Sequence, residues 1–173
     1  LLPVSRLSDE QEEYHFLSCF TAKLAGTERG VTKPQPTFSA CYGAAFLMLH
    51  PTVYSDVLSK KMKASNSKVF LVNTGWNGQG NRISLKNTRS IIDAILSNEL
   101  EEIETQKIPF FNLEIPINVK SVPTELLDPR NTWDKSNLWD EKAKELAQLF
   151  ISNFQKFCDN DHGKKLQEAG PYI

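Results

Sequence analysis

A glycine-rich segment, GWNGQGNR at residues 75–82, lies between an apolar run and a segment with helical periodicity. The preceding residues, 68–73, are apolar and partly β-branched, which is typical of a buried strand. The helix that follows is predicted to begin after Ser84, because serine favours the N-cap position. A strand, a glycine loop and a helix in this order predict a mixed α/β fold.

The glycine segment has part of the pattern of a phosphate-binding loop, G-x-x-x-x-G-K-[ST]. Gly75 and Gly80 occupy the glycine positions, but Asn81 and Arg82 stand where the pattern requires lysine and a hydroxyl residue. Glycines permit a backbone that brings N–H groups toward a ligand. The pattern leaves two interpretations open: a ligand-binding loop, and a turn whose glycines let the strand and the helix pack closely.

Three residues beside the glycines favour binding of the base end of a nucleotide. Arg82 carries a planar guanidinium that can stack on a purine, and Ile83 supplies an apolar wall. Thr88 offers a hydroxyl to a base or ribose edge. The alternatives are a surface Arg82 paired with a carboxylate, and a Thr88 hydroxyl bonded to its own helix backbone. In either case the phosphates must be held elsewhere.

A second candidate segment, GTERG, opens a stretch with two glycines, two prolines and no periodicity. Its charged residues Glu28 and Arg29 stand between Gly26 and Gly30, with Thr27 beside them. Such a loop can close over an active site and exclude water. A solvated surface turn has the same composition, so both interpretations stay open.

Periodicity and capping residues predict the other elements. Helices are expected over residues 9–25, 51–63, 85–96 and 136–157, with Ser8 and Gln11 forming a capping box for the first. Short edge strands are expected in the proline-punctuated residues 108–123, and an ordered turn in LLDPRNTW. The predicted packing faces consist of Val53, Tyr54, Val57, Leu58 and Met62 on the second helix; Leu85, Thr88, Ile91, Ile92, Ile95 and Leu96 on the third; and Leu138, Trp139, Ala143, Leu146, Leu149, Phe150 and Phe154 on the last.

Charge and composition narrow the class of function. The net charge of −1 gives no basic field for a nucleic acid or an anionic membrane surface, and no apolar stretch reaches the ~20 residues of a membrane span. The three cysteines lack C-x-x-C spacing, which favours reduced thiols and a cytoplasmic location. The histidines, His15, His50 and His162, lack zinc-ligand spacing and are expected to be structural, and Trp76, Trp133 and Trp139 to be core aromatics.

Three strings of the sequence resemble the ATP-dependent phosphoenolpyruvate carboxykinases: YHFLSCFTAKLAGTERGVTKPQPTFSACYGAAFLMLHP, VNTGWNGQGNRISLKNTRSIIDAIL and LLDPRNTW. The similarity runs from about residue 4 to the end and corresponds to the C-terminal third of those enzymes. It implies that residues 1–173 form an incomplete C-terminal nucleotide-binding domain of the carboxykinase fold. An active-site lid is then expected at about 25–32 and an adenine-binding loop at about 75–88.

The resemblance also implies a reaction, in which oxaloacetate and ATP give phosphoenolpyruvate, ADP and carbon dioxide in gluconeogenesis, with Mg²⁺ and Mn²⁺. The family's adenine and ribose contacts carry over to Arg82, Ile83 and Thr88. The lid tip corresponds to Gly26, Thr27, Glu28, Arg29 and Gly30, and Phe46 lies on a stretch that approaches the active-site cleft. The implied partners are the small-molecule substrates ATP and oxaloacetate and the rest of the same polypeptide.

The sequence departs from the family pattern at Asn81, where many relatives have lysine, and at Cys19 and Tyr42, where glycine and phenylalanine are expected. The residues that bind oxaloacetate, phosphates and metals in the family have no counterpart here. We therefore expect a fragment without turnover of its own, because phosphoryl transfer depends on positioned metals and cationic groups. A non-catalytic nucleotide-binding or interaction module is the alternative.

Overall fold

The computed structural model describes residues 2–23, 29, 30, 32 and 35–173. The chain divides into two compact units. Unit 1 comprises Leu1–Leu7, Lys68–Gln148 and Tyr172–Ile173. Unit 2 comprises Ser8–Ser67 and Leu149–Pro171.

The described ranges contain both helices and strands, which confirms the predicted mixed α/β class. The α-helices are α1 (Asp9–Ser18), α2 (Pro51–Ser65), α3 (Leu85–Leu96), α4 (Glu99–Glu102), α5 (Thr124–Leu127), α6 (Ser136–Phe154) and α7 (Asp161–Leu166). The strands are β1 (Val4–Arg6), β2 (Phe20–Lys23), β3 (Gln35–Phe38), β4 (Phe70–Val72), β5 (Thr105–Lys107) and β6 (Glu114–Pro116). Short 3-10 turns lie at Ala40–Tyr42, Ala44–Phe46, Pro129–Thr132, Gln155–Phe157 and Gln167–Ala169.

Unit 1 is built on an antiparallel sheet with the strand order β4-β1-β6-β5. The predicted strand before the glycine loop is present as β4, but it is a partly exposed edge strand and not a fully buried one. The proline-punctuated residues 108–123 contain one strand of this sheet, β6, which lies inside the sheet and not at an edge as predicted; the edge strand β5 precedes them. Proline is tolerated in β6 because its register with β1 involves Glu114 and not Pro116. The core cluster consists of Val4, Ile91, Ala94, Leu100, Val119, Val122 and Leu127.

Unit 2 has an aromatic core. The rings of Tyr14 and Phe154 stack with centroids 4.1 Å apart, and Phe157 meets Phe154 edge-on at 5.4 Å. The strand pair β2–β3 is antiparallel and brings Phe20 opposite Phe38, with centroids 5.2 Å apart. These aromatic contacts supply much of the burial that holds unit 2 together.

The first predicted helix is correct at its start and wrong at its end. Ser8 and Gln11 form the expected capping box, but α1 stops at Ser18, and β2 begins at Phe20. Thr21 therefore pairs with Thr37 in a strand and does not continue a helical face. Pairing of aromatic and β-branched residues with β3 overrides the local helical spacing.

The predicted face of α2 is right only in part: the helix begins at Pro51 as expected, and Tyr54, Leu58 and Met62 are half-buried. Its buried side consists of Thr52, Ser55 and Ser59, whereas Val53 and Val57 are exposed. The Ser55 hydroxyl donates to the Thr52 carbonyl at 3.1 Å, so burying it leaves no unpaired group. The predicted faces of α3 and α6 are right only in part. Four of their predicted residues, Leu85, Leu96, Leu138 and Leu149, are exposed.

The three histidines take part in helix packing or capping. His50 caps α2 by accepting from the Thr52 N–H, and His162 Nε2 lies 2.8 Å from Glu13 Oε2. His15 lies edge-on to Phe150 at 5.8 Å, and burial lowers its pKa to about 4. No helix in the described part of the chain is long and apolar enough to cross a membrane.

Candidate nucleotide-binding loop

Residues 75–83, which we call the base loop, form a small hairpin between β4 and α3. Trp76 and Arg82 are bridged as an antiparallel pair. The flanking bonds run from Asn77 N to Asn81 O and from Ile83 N to Gly75 O, each 2.9 Å long. A pair placed between such bonds is of the non-hydrogen-bonded kind, whose side chains come closest together. The hairpin thus sets the Trp76 and Arg82 side chains beside each other.

Side-chain oxygens accept several other N–H groups of the base loop, and the Asn77 carbonyl accepts from Gly80 N at 3.1 Å. Asn77 Oδ1 accepts from Gln79 N at 3.1 Å and from Asn81 N at 2.9 Å. Asn73 Oδ1 accepts from Gly75 N at 2.8 Å. The sequence left open whether the glycines aim free N–H groups at a ligand. In this conformation the three glycine N–H groups already have protein acceptors, so the glycines do not aim free N–H groups at a ligand.

Gly78, at the tip of the base loop, touches a residue far away in sequence. Its N–H donates to Thr132 Oγ1 at 3.1 Å, and a Cβ atom added to it would lie 2.1 Å from Trp133 Nε1. Only glycine permits so close an approach of the backbone to the indole ring. Gly80 is required for a different reason, since its φ of +76° lies in the left-handed region.

Arg82 is exposed, and its Cζ atom lies 5.9 Å from the centroid of the Trp76 ring. Within the described ranges no carboxylate pairs with it, so the surface ion pair considered as an alternative is not seen. The distance to Trp76 fits a cation–π contact at an exposed site. This contact orients the guanidinium and leaves its donors available.

Ile83 and Thr88 follow Arg82 along the same stretch. Ile83 is only 5% exposed, so its side chain belongs mainly to the unit 1 interior and presents little apolar wall to a ligand. Thr88 is half-buried in the first turn of α3, which Ser84 caps by accepting from Asn87 N at 3.1 Å. Among the described residues the Thr88 hydroxyl has no hydrogen-bond partner, its own helix backbone included.

Trp76 lies beside Arg82 in the candidate site, although the sequence did not predict it there. It was predicted to be a core aromatic, yet 51% of its surface is exposed, whereas Trp139 is buried as expected. Its place between Gly75 and Asn77, inside a turn, was the available sign of exposure.

The lid prediction falls largely outside the described residues, since these do not include Gly26, Thr27 and Glu28. Arg29 and Gly30 form an exposed turn in which Gly30 has a φ of +91°. Phe46, expected near the active-site cleft, is 86% exposed at the end of a 3-10 turn.

The described residues hold no group of three or more His, Cys, Asp or Glu side chains that could bind a metal ion. They do not fit the Mg²⁺ and Mn²⁺ that the resemblance implies, and we derive no chemical step through those ions.

The sequence model of the phosphoenolpyruvate carboxykinase family matches residues 1–125 of the 173. The chain belongs to this family. The matched model is that of the ATP-utilising carboxykinases, and it covers both the base loop and the predicted lid of this carboxykinase chain. The turn at Asp128 to Trp133 follows the matched residues.

Proposed function

We propose that this chain supplies the adenine and ribose contacts, and the lid, of an ATP-dependent phosphoenolpyruvate carboxykinase. The reaction would convert oxaloacetate and ATP to phosphoenolpyruvate, ADP and carbon dioxide in gluconeogenesis. The observation that carries the proposal is the exposed Arg82 guanidinium, free of any described carboxylate partner and held beside Trp76 on a hydrogen-bonded hairpin.

A purine base can stack on the guanidinium plane of Arg82, because the side chain is flat, always charged and weakly hydrated. The Thr88 hydroxyl, half-buried and without a described partner, can then bond the base or the ribose. Ile83 would contribute mainly through its backbone, since its side chain is buried. The hairpin positions these groups, and its glycine N–H groups already have protein acceptors, so we assign phosphate binding to other residues.

The remaining parts of the active site would come from further residues of the same polypeptide. We propose that exposed apolar side chains of unit 2 contact such residues, since exposed apolar groups favour contact sites. The ligands for Mg²⁺ and Mn²⁺ and the oxaloacetate site would belong to those further residues, and the protein would work in the cytoplasm. The exposed apolar side chains are those of Tyr42, Phe46, Met48, Leu49, Val53 and Val57.

Arg82→Ala in the complete polypeptide is expected to raise the Kd for ATP by about tenfold, which corresponds to ~1.4 kcal/mol. Loss of the stacking guanidinium removes base binding and should leave the KM for oxaloacetate unchanged. Arg89→Ala is the matched control, because Arg89 is an exposed arginine on α3. Isothermal titration with ATP measures the effect. An Arg82→Ala protein with the parental ATP affinity contradicts the proposed role.

A non-catalytic nucleotide-binding module is the second candidate. It is favoured by one observation: the base loop and its described hydrogen-bond partners all belong to unit 1. Titration of the 173-residue chain alone with ATP separates the two candidates. A carboxykinase segment is expected to bind weakly, since part of its pocket lies elsewhere. Binding in the low micromolar range would instead support the independent module.

A further inference from the structure

The tip of the base loop contacts the turn at residues 128–133, which contains none of the residues proposed to bind the base. We infer that Thr132 and Trp133 are positioning residues for nucleotide binding, because they fix Gly78 and thereby the placement of Arg82. This inference rests on the proposed function of the base loop.

The contact joins residues that are 54 positions apart in the sequence. The Gly78 N–H donates to Thr132 Oγ1 at 3.1 Å, and the Gly78 backbone lies against the Trp133 indole. Thr132 is buried and its hydroxyl donates to the Pro129 carbonyl at 2.9 Å. That second bond fixes the direction of the hydroxyl proton and leaves the oxygen's lone pairs to accept from Gly78.

The turn that carries Thr132 is itself rigidly held. Arg130 Nε donates to both oxygens of Asp128, at 3.0 and 3.1 Å, and Arg130 Nη2 donates to Oδ2 at 2.6 Å. Burial by itself would raise the pKa of Asp128, but the hydrogen bonds and charge of Arg130 outweigh it and lower that pKa. Asp128 therefore stays ionised, and its Oδ1 also accepts from Arg130 N at 3.0 Å. The base loop is thus anchored to a fixed support.

Gly78 and Arg82 are connected across the hairpin through their sequence neighbours. Asn77 links the two, since its backbone N–H and side-chain oxygen both bond to Asn81, the neighbour of Arg82. A lone two-stranded hairpin is marginally stable in water, so its shape depends on tertiary support. Holding the loop before the ligand arrives reduces the entropy lost on binding.

A pocket of about 330 Å³ borders the base loop. Its lining includes Asn77, Gly78 and Gly80 of the loop together with Trp133 and Trp139. The loop therefore has open space beside it into which it can shift when the contact with Thr132 is lost. The Thr132 hydroxyl and the close contact of Gly78 with the Trp133 indole keep it in place.

The test compares Thr132→Val with Thr132→Ser in the complete polypeptide. Valine keeps the shape of threonine but cannot accept from Gly78, so the Kd for ATP should rise about fivefold to tenfold. Serine keeps the hydroxyl and should stay within about twofold. The KM for oxaloacetate and the kcat at saturating ATP should change little, which separates positioning of the base from general damage.

An unchanged Kd for ATP in Thr132→Val overturns the inference. This holds even if the urea midpoint of unfolding falls, because a residue with a purely structural role would change that midpoint and leave the Kd unchanged.

Should Thr132→Val fail to fold, Trp133→Phe serves as the second variant. It keeps a ring against Gly78 with less contact, and about a twofold to fivefold rise in Kd is expected. Arg82→Ala distinguishes failure of this inference from failure of the proposed function. If it weakens ATP binding while the Thr132 and Trp133 variants do not, the inference alone fails; if none of them does, the proposed function fails.

Discussion

Gly78→Ala is expected to weaken ATP binding by at least about tenfold and to destabilise unit 1 by about 1–3 kcal/mol. The added methyl group would lie 2.1 Å from Nε1 and 2.2 Å from Cδ1 of the Trp133 ring. Either the loop or the indole must then move, and the bond from Gly78 N to Thr132 Oγ1 would lengthen or break. Urea unfolding and calorimetric titration with ATP measure the two effects separately.

Gly43→Ala is the matched control for Gly78→Ala, since the nearest atom to an added Cβ there is 3.8 Å away. It should leave both stability and ATP affinity close to the parent. Adding Trp133→Leu to Gly78→Ala should restore part of the lost stability, because the smaller side chain makes room for the methyl group. If Gly78→Ala lowers stability while the ATP affinity stays parental, the base loop is a packing turn without a role in nucleotide binding.

Phe154→Ala is expected to destabilise unit 2 by about 3–5 kcal/mol, through the lost burial and the cavity left behind. Phe154 is 0% exposed, and its ring is stacked on Tyr14 at 4.1 Å with an interplanar angle of 14°. The free energy of unfolding follows from urea titration monitored by circular dichroism.

Leu149→Ala on the same helix is the control for Phe154→Ala. Leu149 is 43% exposed, so less than about 1 kcal/mol should be lost. Equal losses in the two variants would show that the aromatic stack contributes nothing beyond an ordinary α6 position.

Local patterns were sufficient where a structure depends on neighbouring residues. The capping box of Ser8 and Gln11, proline at the start of α2 and the Ser84 cap of α3 all follow from the few residues around them. A cap satisfies N–H groups of its own first turn, so its effect is visible in a short window of sequence. The family was likewise recognisable from sequence, and the match over residues 1–125 confirms it.

Long-range contacts account for the errors. The end of α1 depends on Phe38, which pairs with Phe20 across β2 and β3. The buried face of α2 depends on what packs against it: the small hydroxyl residues Thr52, Ser55 and Ser59 are buried there, whereas Val53 and Val57 are exposed. Hydrophobic spacing within one helix contains neither kind of information.

For the candidate site, too, the sequence predicted the local residues but not the long-range contacts. Arg82, Ile83 and Thr88 stand together in a short stretch, and their proposed roles follow from side-chain chemistry and family resemblance. The sequence could not show that Thr132, 54 residues from Gly78, would take a loop N–H, or that Ile83 would point into the interior. These are properties of the folded unit.

The acceptors that already occupy the glycine N–H groups of the base loop have a consequence for substrate and product. Because these groups are not available to phosphates, the loop should bind adenosine mono-, di- and triphosphates equally well. Telling ATP from ADP at the end of a catalytic cycle would then be the task of groups at the other end of the nucleotide, and release of the product would not require the loop to open.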